Sequence, residues 1–209
     1  MADKISVSIS NISMYRSIVA KHYQLYQELA KEHDKLSLET DPANAEEEEQ
    51  ALYSLRYEMD CEAAIICIFS HMTFEAFCNV YLLQHIPKKE IEDKSFIEKV
   101  DSSIVQLLAE SGNPIPQEDA PLYYGADIKA LVNIRKKMVH RYPVRGDISL
   151  KTDESFQKGS LDIARQIEEC YLRRIDRTIV SNAATAYDRF IAKMKASGVD
   201  FTRLCFAYE

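Results

Sequence analysis

Glycine, proline and tryptophan are the residues that this chain of 209 residues has little of: it contains 5 glycines, 6 prolines and no tryptophan. Glycine and proline together occupy 11 positions, which is about half of their usual share. Proteins built from many short strands need frequent turns, and collagen-like or linker segments need far more of both residues. Their scarcity argues against these classes and favours long helices in one globular domain over residues 1–209.

Cysteine is present in an odd number without any C-x-x-C pair, and no long apolar run is present. In a chain long enough to form a core without cross-links, we interpret the cysteines as reduced thiols buried as small apolar groups. The N-terminus lacks the apolar core of a signal peptide, and the most apolar stretch, residues 61–69, is too short to span a bilayer. We therefore expect a soluble, cytoplasmic protein that does not associate with membranes. The cysteines are Cys61, Cys67, Cys78, Cys170 and Cys205.

Apolar residues recur at steps of three and four along most of the chain and predict a single all-α bundle. The five main helices are predicted over about residues 11–36, 41–85, 95–110, 125–141 and 160–196, with the second and last the longest. The sequence allows the second helix to be either continuous or broken within its length. Residues 1–9 are predicted to form a short strand or an ordered arm, and residues 198–209 a tail that folds back onto the bundle.

Local signals mark several of these helix boundaries. Ser95 and Glu98 have the spacing of a capping box, which predicts a helix start. Pro87 is expected to stop the second helix, and Pro143 disfavours helical dihedral angles at the residue before it. Gly198 is the expected end of the last helix.

Positive charge is concentrated in residues 128–146, which contain no acidic residue, whereas the whole chain has a formal net charge of −7. Such a local excess can bind a polyanion at one end of an otherwise acidic protein. The simpler alternative is a solvated basic face that acidic residues balance across the bundle. The basic residues in this segment are Lys129, Arg135, Lys136, Lys137, Arg141 and Arg145.

Arg135 is predicted to lie in the middle of an apolar stripe of the fourth helix. A guanidinium directed into a core is unfavourable unless it meets an anion or several acceptors. One explanation is a buried pair with a carboxylate, for which Glu75 is the candidate. The other is a cleft, for example between two subunits, in which Arg135 binds a phosphate. The stripe consists of Ile128, Leu131, Val132, Met138 and Val139.

His140 follows five residues after Arg135, so an ideal helix directs the two side chains about 140° apart. They converge only if the helix end relaxes at Tyr142 and Pro143, or if a second copy supplies one of them across a two-fold axis. The dipole at a helix C-terminus favours the cationic form of histidine, which suits proton transfer near neutral pH. A purely structural histidine is the alternative.

The motif Arg135-Lys-Lys-Met-Val-His140-Arg-Tyr142 reads R-x4-H-x-Y and resembles the signature of the HEPN superfamily (higher eukaryotes and prokaryotes nucleotide-binding). These are small all-α proteins that commonly dimerise. Residues 71–79, with Glu75 and Asn79, are similar to the acid-aromatic-asparagine pattern that an earlier helix of that superfamily often carries.

This resemblance implies a homodimeric, metal-independent endoribonuclease that forms a cyclic phosphate by attack of the 2′-hydroxyl of RNA. It gives Arg135 the role of binding the scissile phosphate and His140 that of moving the proton. In similar toxins a tyrosine is adenylylated by a nucleotidyltransferase-type antitoxin, and Tyr142 is the matching position. The basic residues Lys136, Lys137, Arg141 and Arg145 are the candidate contacts to RNA.

One position departs from the family pattern: an asparagine, aspartate or histidine often follows the arginine, where this chain has Lys136. A non-catalytic helical module that binds nucleotide, RNA or a partner protein therefore stays open. Glu75 and Asn79 either orient Arg135 or form a polar pair within the core. No H-E-x-x-H, no zinc-like Cys/His spacing and no glycine-rich phosphate loop is present, so we expect neither a metal nor a cofactor.

Overall fold

The computed structural model describes residues 11–38, 45–139 and 176–201, and these contain helices and connecting turns without a strand. The all-α class and the five main helices are confirmed in this part of the chain. The predicted arm at residues 1–9, residues 160–175 of the last predicted helix and the tail beyond Phe201 lie outside the described residues. The helices are α1 (Ile12–Leu38), α2 (Ala45–Leu82), α3 (Lys88–Glu92), α4 (Phe96–Glu110), a 3₁₀ turn (Gln117–Asp119), α5 (Pro121–Val139) and α6 (Arg177–Ala196).

The central element is α2, a single unbroken helix of 38 residues, which is about 57 Å long at 1.5 Å per residue. It contacts α1, α4, α5 and α6. It runs antiparallel to α1, because Tyr15 packs on Phe69 near one end while His22 meets Glu62 one to two turns away. The helix ends at Leu82, slightly before the expected boundary, and a tighter turn and the unpredicted short α3 follow it.

The boundaries of α4 and α6 follow the sequence signals. The amide of Glu98 donates to Ser95 Oγ (3.3 Å) and the amide of Ser95 donates to Glu98 Oε2 (2.7 Å), so the predicted capping box is confirmed. At the end of α6, Gly198 has a φ of 88°, which glycine adopts without a steric penalty. The amide of Val199 bonds to the carbonyl of Met194, which completes a Schellman motif.

At two helix starts the structure adds to the prediction or departs from it. Helix α5 has its first residue at Pro121, but Gly125, the predicted start of the fourth main helix, has a non-helical φ of 63° and ψ of −155°, so a short unpredicted helical turn precedes the predicted helix and joins it at a kink. The helix predicted over residues 160–196 does not run through residue 176, because Asp176 has a non-helical ψ of 137° and caps the start of α6 through the amide of Thr178. A side-chain oxygen that satisfies an orphan amide is the usual reason for a helix start at such a residue.

Aromatic rings form the centre of the core where α2 meets α6. Phe74 and Phe77 are fully buried, and both rings contact Tyr187 and Phe190 edge-on at centroid distances of 5.4 to 5.9 Å. Phe201 packs against Phe77, which agrees with the expected return of the C-terminal segment to the bundle. Such tilted ring pairs add to the stabilisation that apolar burial provides.

The cysteine prediction holds for two of the three described residues. Cys67 and Cys78 are buried free thiols, whereas Cys61 is exposed, so the expectation of a buried thiol is wrong there. Burial raises the pKa of both Cys67 and Cys78 to about 12, which keeps these thiols protonated and unreactive. Cys170 and Cys205 lie outside the described residues.

One described helical segment, Glu47–Leu82, is long and apolar enough to cross a membrane by length and composition, and half of its most apolar stretch is buried inside the protein. The same composition is expected of a helix that other helices surround.

Candidate functional site

The structure places the predicted site residues in two groups. Glu75 and Asn79 lie on α2 with their side chains described. Arg135, Lys136 and Lys137 lie on α5, where the described backbone is helical up to Val139. The remaining predicted residues, His140, Arg141, Tyr142 and Arg145, lie outside the described residues.

The buried face of α5 is formed by the first part of the predicted apolar stripe. Ile128 and Leu131 are each 1% exposed. Arg135 follows Leu131 by four residues and Ile128 by seven, so its backbone position continues the same face of the helix. The register thus places the arginine in line with two core residues.

This face of α5 packs between α2 and α6. Ile128 lines a cavity of about 210 Å³ together with Phe74 of α2 and Phe190 of α6. Lys193 of α6 reaches across to the backbone of α5, where its ammonium donates to the carbonyl oxygen of Leu122. Apolar packing and this polar contact together hold α5 against the bundle.

Glu75, the candidate internal partner of Arg135, already contacts two other basic groups. Its Oε1 lies 3.6 Å from Lys99 Nζ and its Oε2 lies 3.8 Å from His71 Nδ1. Lys99 is 9% exposed, and a nearly buried ammonium needs a counter-charge. Lys99 thus depends on Glu75, and Glu75 does not depend on Arg135 for neutralisation.

The histidine of this cluster is fixed by its surroundings. His71 is buried and its ring stacks on Phe96 with centroids 3.9 Å apart. The ring therefore links α2 to the start of α4, next to the Ser95 capping box. This arrangement gives His71 a structural role at the contact between α2 and α4.

Asn79 lies one helical turn after Glu75 and has an unsatisfied acceptor. Its Oδ1 is buried and has no hydrogen-bond partner among the described residues. A buried acceptor without a donor is unfavourable, so such groups in folded proteins usually mark an additional interaction. Glu75 and Asn79 were expected either to orient Arg135 or to form a polar pair within the core. Glu75 has polar partners within the protein, as the second interpretation requires, whereas the acceptor of Asn79 has none among the described residues.

Sequence reasoning missed Lys99 and His71 as members of this cluster. A signal for Lys99 existed, because it lies four residues before Ser103 and eight before Leu107, which are on the buried face of α4. A lysine in such a face indicates a buried carboxylate partner on a neighbouring helix. His71 carried no comparable signal, because it follows the same apolar periodicity as its neighbours.

Other described histidines also lie close to carboxylates. His22 Nδ1 lies 2.5 Å from Glu62 Oε2, and His85 Nε2 lies 3.4 Å from Glu110 Oε1. Over residues 11–38, 45–139 and 176–201, no group of three histidine, cysteine, aspartate or glutamate side chains is arranged to hold a metal ion. These histidines thus serve contacts between helices or helix ends.

No protein-family model, no curated protein and no solved structure matches this chain. The interpretation of the site therefore depends on its residues and their placement in the bundle.

Proposed function

We propose that this protein is a metal-independent endoribonuclease of the HEPN type that acts as a homodimer on RNA. The observation that carries the proposal is the register of α5, which continues the buried face of Ile128 and Leu131 to Arg135. An arginine at such a position requires an anion. Glu75 is already in contact with Lys99 and His71, which favours an anion from outside the chain.

The proposed reaction is an internal transesterification at one phosphate of RNA. The 2′-oxygen of one nucleotide forms a bond to the adjacent phosphorus while the bond to the 5′-oxygen of the next nucleotide breaks. Arg135 binds the phosphate and stabilises the charge that develops on it, since hydrogen bonds to a charged group are the strong ones. His140 transfers the proton, which leaves the 2′-hydroxyl and ends on the 5′-oxygen.

Asn79 and Glu75 support this arrangement in the proposal. The buried Oδ1 of Asn79 lacks a donor among the described residues, and a guanidinium has five N–H groups in a fixed fork. Asn79 orients Arg135 by accepting one of them, while Glu75 balances the positive charge of the cluster. Lys136, Lys137, Arg141 and Arg145 bind the RNA backbone.

The proposed biological role is that of a toxin or antiviral defence effector, with Tyr142 as the site at which a nucleotidyltransferase-type antitoxin adds a nucleotide. A cytoplasmic location belongs to the same proposal, because the substrate is intracellular RNA. The second candidate is a non-catalytic module that binds nucleotide, RNA or a partner protein, and Lys136 at the position after the arginine favours it.

The test is incubation of the purified protein with a 5′-labelled single-stranded RNA in EDTA. We expect fragments that end in a 2′,3′-cyclic phosphate. Arg135→Ala and His140→Ala should each lower the cleavage rate at least about 100-fold while the melting temperature stays near that of the wild type. The matched controls are Arg16→Ala on α1 and His85→Ala after the end of α2, which remove the same side chains outside α5 and should leave cleavage unchanged.

Two results would contradict the proposal. Cleavage that survives both Arg135→Ala and His140→Ala would remove the site assignment. RNA binding without cleavage by the wild type, together with unfolding of Arg135→Ala, would favour the non-catalytic module instead.

A further inference from the structure

A polar contact lies just before the kink of α5. Gly125 has φ 63° and ψ −155°, so the helix changes course at this residue. The carbonyl oxygen of Leu122, three residues earlier, accepts a hydrogen bond from Lys193 Nζ in the last turn of α6. The same ammonium lies 5.5 Å from the centre of the Tyr123 ring. Lys193 therefore contacts both the backbone and a side chain of the turn before the kink.

Each of these contacts has a physical reason. Carbonyl groups at the end of a helical turn lack intrahelical donors, and a lysine side chain can satisfy them. A cation over an aromatic face is attracted to the ring quadrupole. The base of the lysine is itself fixed, because the Schellman motif at Gly198 ends α6 and the buried Met194 anchors its last turn.

A small change of direction at the kink becomes a large displacement farther along α5. Arg135 follows Gly125 by ten residues, which is about 15 Å along the helix axis. A tilt of about 4° at the kink therefore moves the backbone of Arg135 by about 1 Å. Misplacement by about 1 Å can lower the rate of an oriented reaction about 100-fold.

We infer that Lys193 is a positioning residue that sets the direction of α5, and with it the place of Arg135, by holding the turn Leu122–Tyr123. This inference builds on the proposed ribonuclease activity, because Arg135 is the group that is positioned. Lys193 does not touch the substrate. Its removal leaves the bundle folded and lets the arm of α5 beyond Gly125 change its angle.

The test uses three variants at the end of α6. Lys193→Met removes the ammonium and keeps the length of the side chain, and Lys193→Arg restores a cation at the same place. Lys195→Met is the matched control, because Lys195 is an exposed lysine in the same helical turn. Cleavage of RNA gives kcat and KM separately, and thermal melting reports the fold.

A second measurement follows α5 without requiring activity. Spin labels on cysteines introduced at Asn133 of α5 and Ala109 of α4, both exposed, give a distance by pulsed electron paramagnetic resonance. Cys61, Cys170 and Cys205 are replaced by serine in this background. We expect Lys193→Met to shift or broaden this distance by about 1 to 3 Å and to lower kcat at least about 10-fold with little change in KM. Lys193→Arg and Lys195→Met should match the parent protein.

The outcomes separate the two proposals. If the wild type cuts no RNA, the proposed function fails, and the spin-label distances alone decide whether Lys193 controls α5. An unchanged distance in Lys193→Met would overturn the inference, whatever happens to the melting temperature. A changed distance with an unchanged kcat would also overturn it, because the direction of α5 would then not matter to the reaction.

Discussion

The ammonium group of Lys99 provides the counter-charge that Glu75 of α2 needs, so Glu75 does not require Arg135. Lys99 is an almost completely buried charged side chain, and its contact to Glu75 joins α4 to α2. A buried charge that loses its partner keeps its desolvation cost, so the removal of both charges should cost less than the sum of the two single removals.

We predict a coupling between these two residues that chemical denaturation can measure. Lys99→Met should lower the free energy of unfolding by about 1 to 2 kcal/mol, which is below the value for a fully buried pair because Glu75 is partly exposed. Glu75→Gln should lower the free energy of unfolding at least as much, because it leaves the more buried ammonium of Lys99 without a counter-charge. The double variant should cost less than the sum of the two.

The control for this pair is Lys88→Met, which breaks the exposed contact to Glu92 on α3. An exposed pair of this kind contributes little, so the change should stay within about 0.5 kcal/mol. Urea titrations of the wild type and the four variants at neutral pH provide the comparison. Strict additivity of Lys99→Met and Glu75→Gln would show that the two side chains do not interact.

At the scale of the helices, Gly125 shows how one residue directs an element. Its φ and ψ lie in a region that only glycine enters readily, and a Cβ added there would meet no atom within 4 Å. A glycine is therefore required at this position because of the backbone dihedral angles, and not because a larger side chain would clash. We predict that Gly125→Ala lowers the free energy of unfolding by about 1 to 3 kcal/mol, measured by urea denaturation.

Gly112 at the end of α4 is the natural comparison. It has a φ of 80° within a Schellman motif, a left-handed conformation that asparagine also tolerates. Gly112→Asn should therefore lower the free energy of unfolding less than Gly112→Ala does. At Gly125 the asparagine and alanine variants should be equally harmful, and a rescue by asparagine there would contradict the assigned backbone conformation.

Helix boundaries were predictable where residues close in sequence form the cap. Ser95 with Glu98 and the glycine at residue 198 gave correct ends, because caps depend on residues within one turn. The helical turn before Gly125 and the start at Asp176 were missed. Apolar residues continue at helical spacing across residue 176, from Ile175 to Ile179, and periodicity does not report a dihedral angle at one residue.

At the scale of the whole molecule, α1 is joined to α6 as well as to α2. Arg177 binds Asp34 with two hydrogen bonds of 2.6 and 2.8 Å, and these lower the pKa of that carboxyl. Arg16 contacts Asp188 at 2.8 Å farther along the same pair of helices. Neither pair was predictable, because partners more than 140 residues apart leave no spacing to detect.

The candidate site was predictable only in part for a related reason. Sequence periodicity placed Arg135 on a buried face, and the burial of Ile128 and Leu131 agrees with that. The partners of Glu75 come from α4 and from its own helix, and only the packing of the bundle brings Lys99 to it. Whether a second copy completes the site is a property of the assembly and not of one chain.

The dimer in the proposed mechanism makes a prediction about mixtures of inactive chains. If Arg135 of one subunit and His140 of its partner form each site, Arg135→Ala and His140→Ala proteins should restore activity when they are mixed and allowed to exchange subunits. Random pairing makes half of the dimers mixed, and each mixed dimer has one intact site of two. The expected rate is therefore about a quarter of that of the wild type.

The measurement is RNA cleavage in EDTA after mild denaturation and joint refolding of equal amounts of the two variants. Each variant refolded alone is the control and should stay inactive. A mixture of His140→Ala with the double variant Arg135→Ala/His140→Ala should also stay inactive, because no subunit then supplies the histidine. If the first mixture gains nothing although size-exclusion chromatography shows dimers, the site does not combine Arg135 and His140 from opposite subunits.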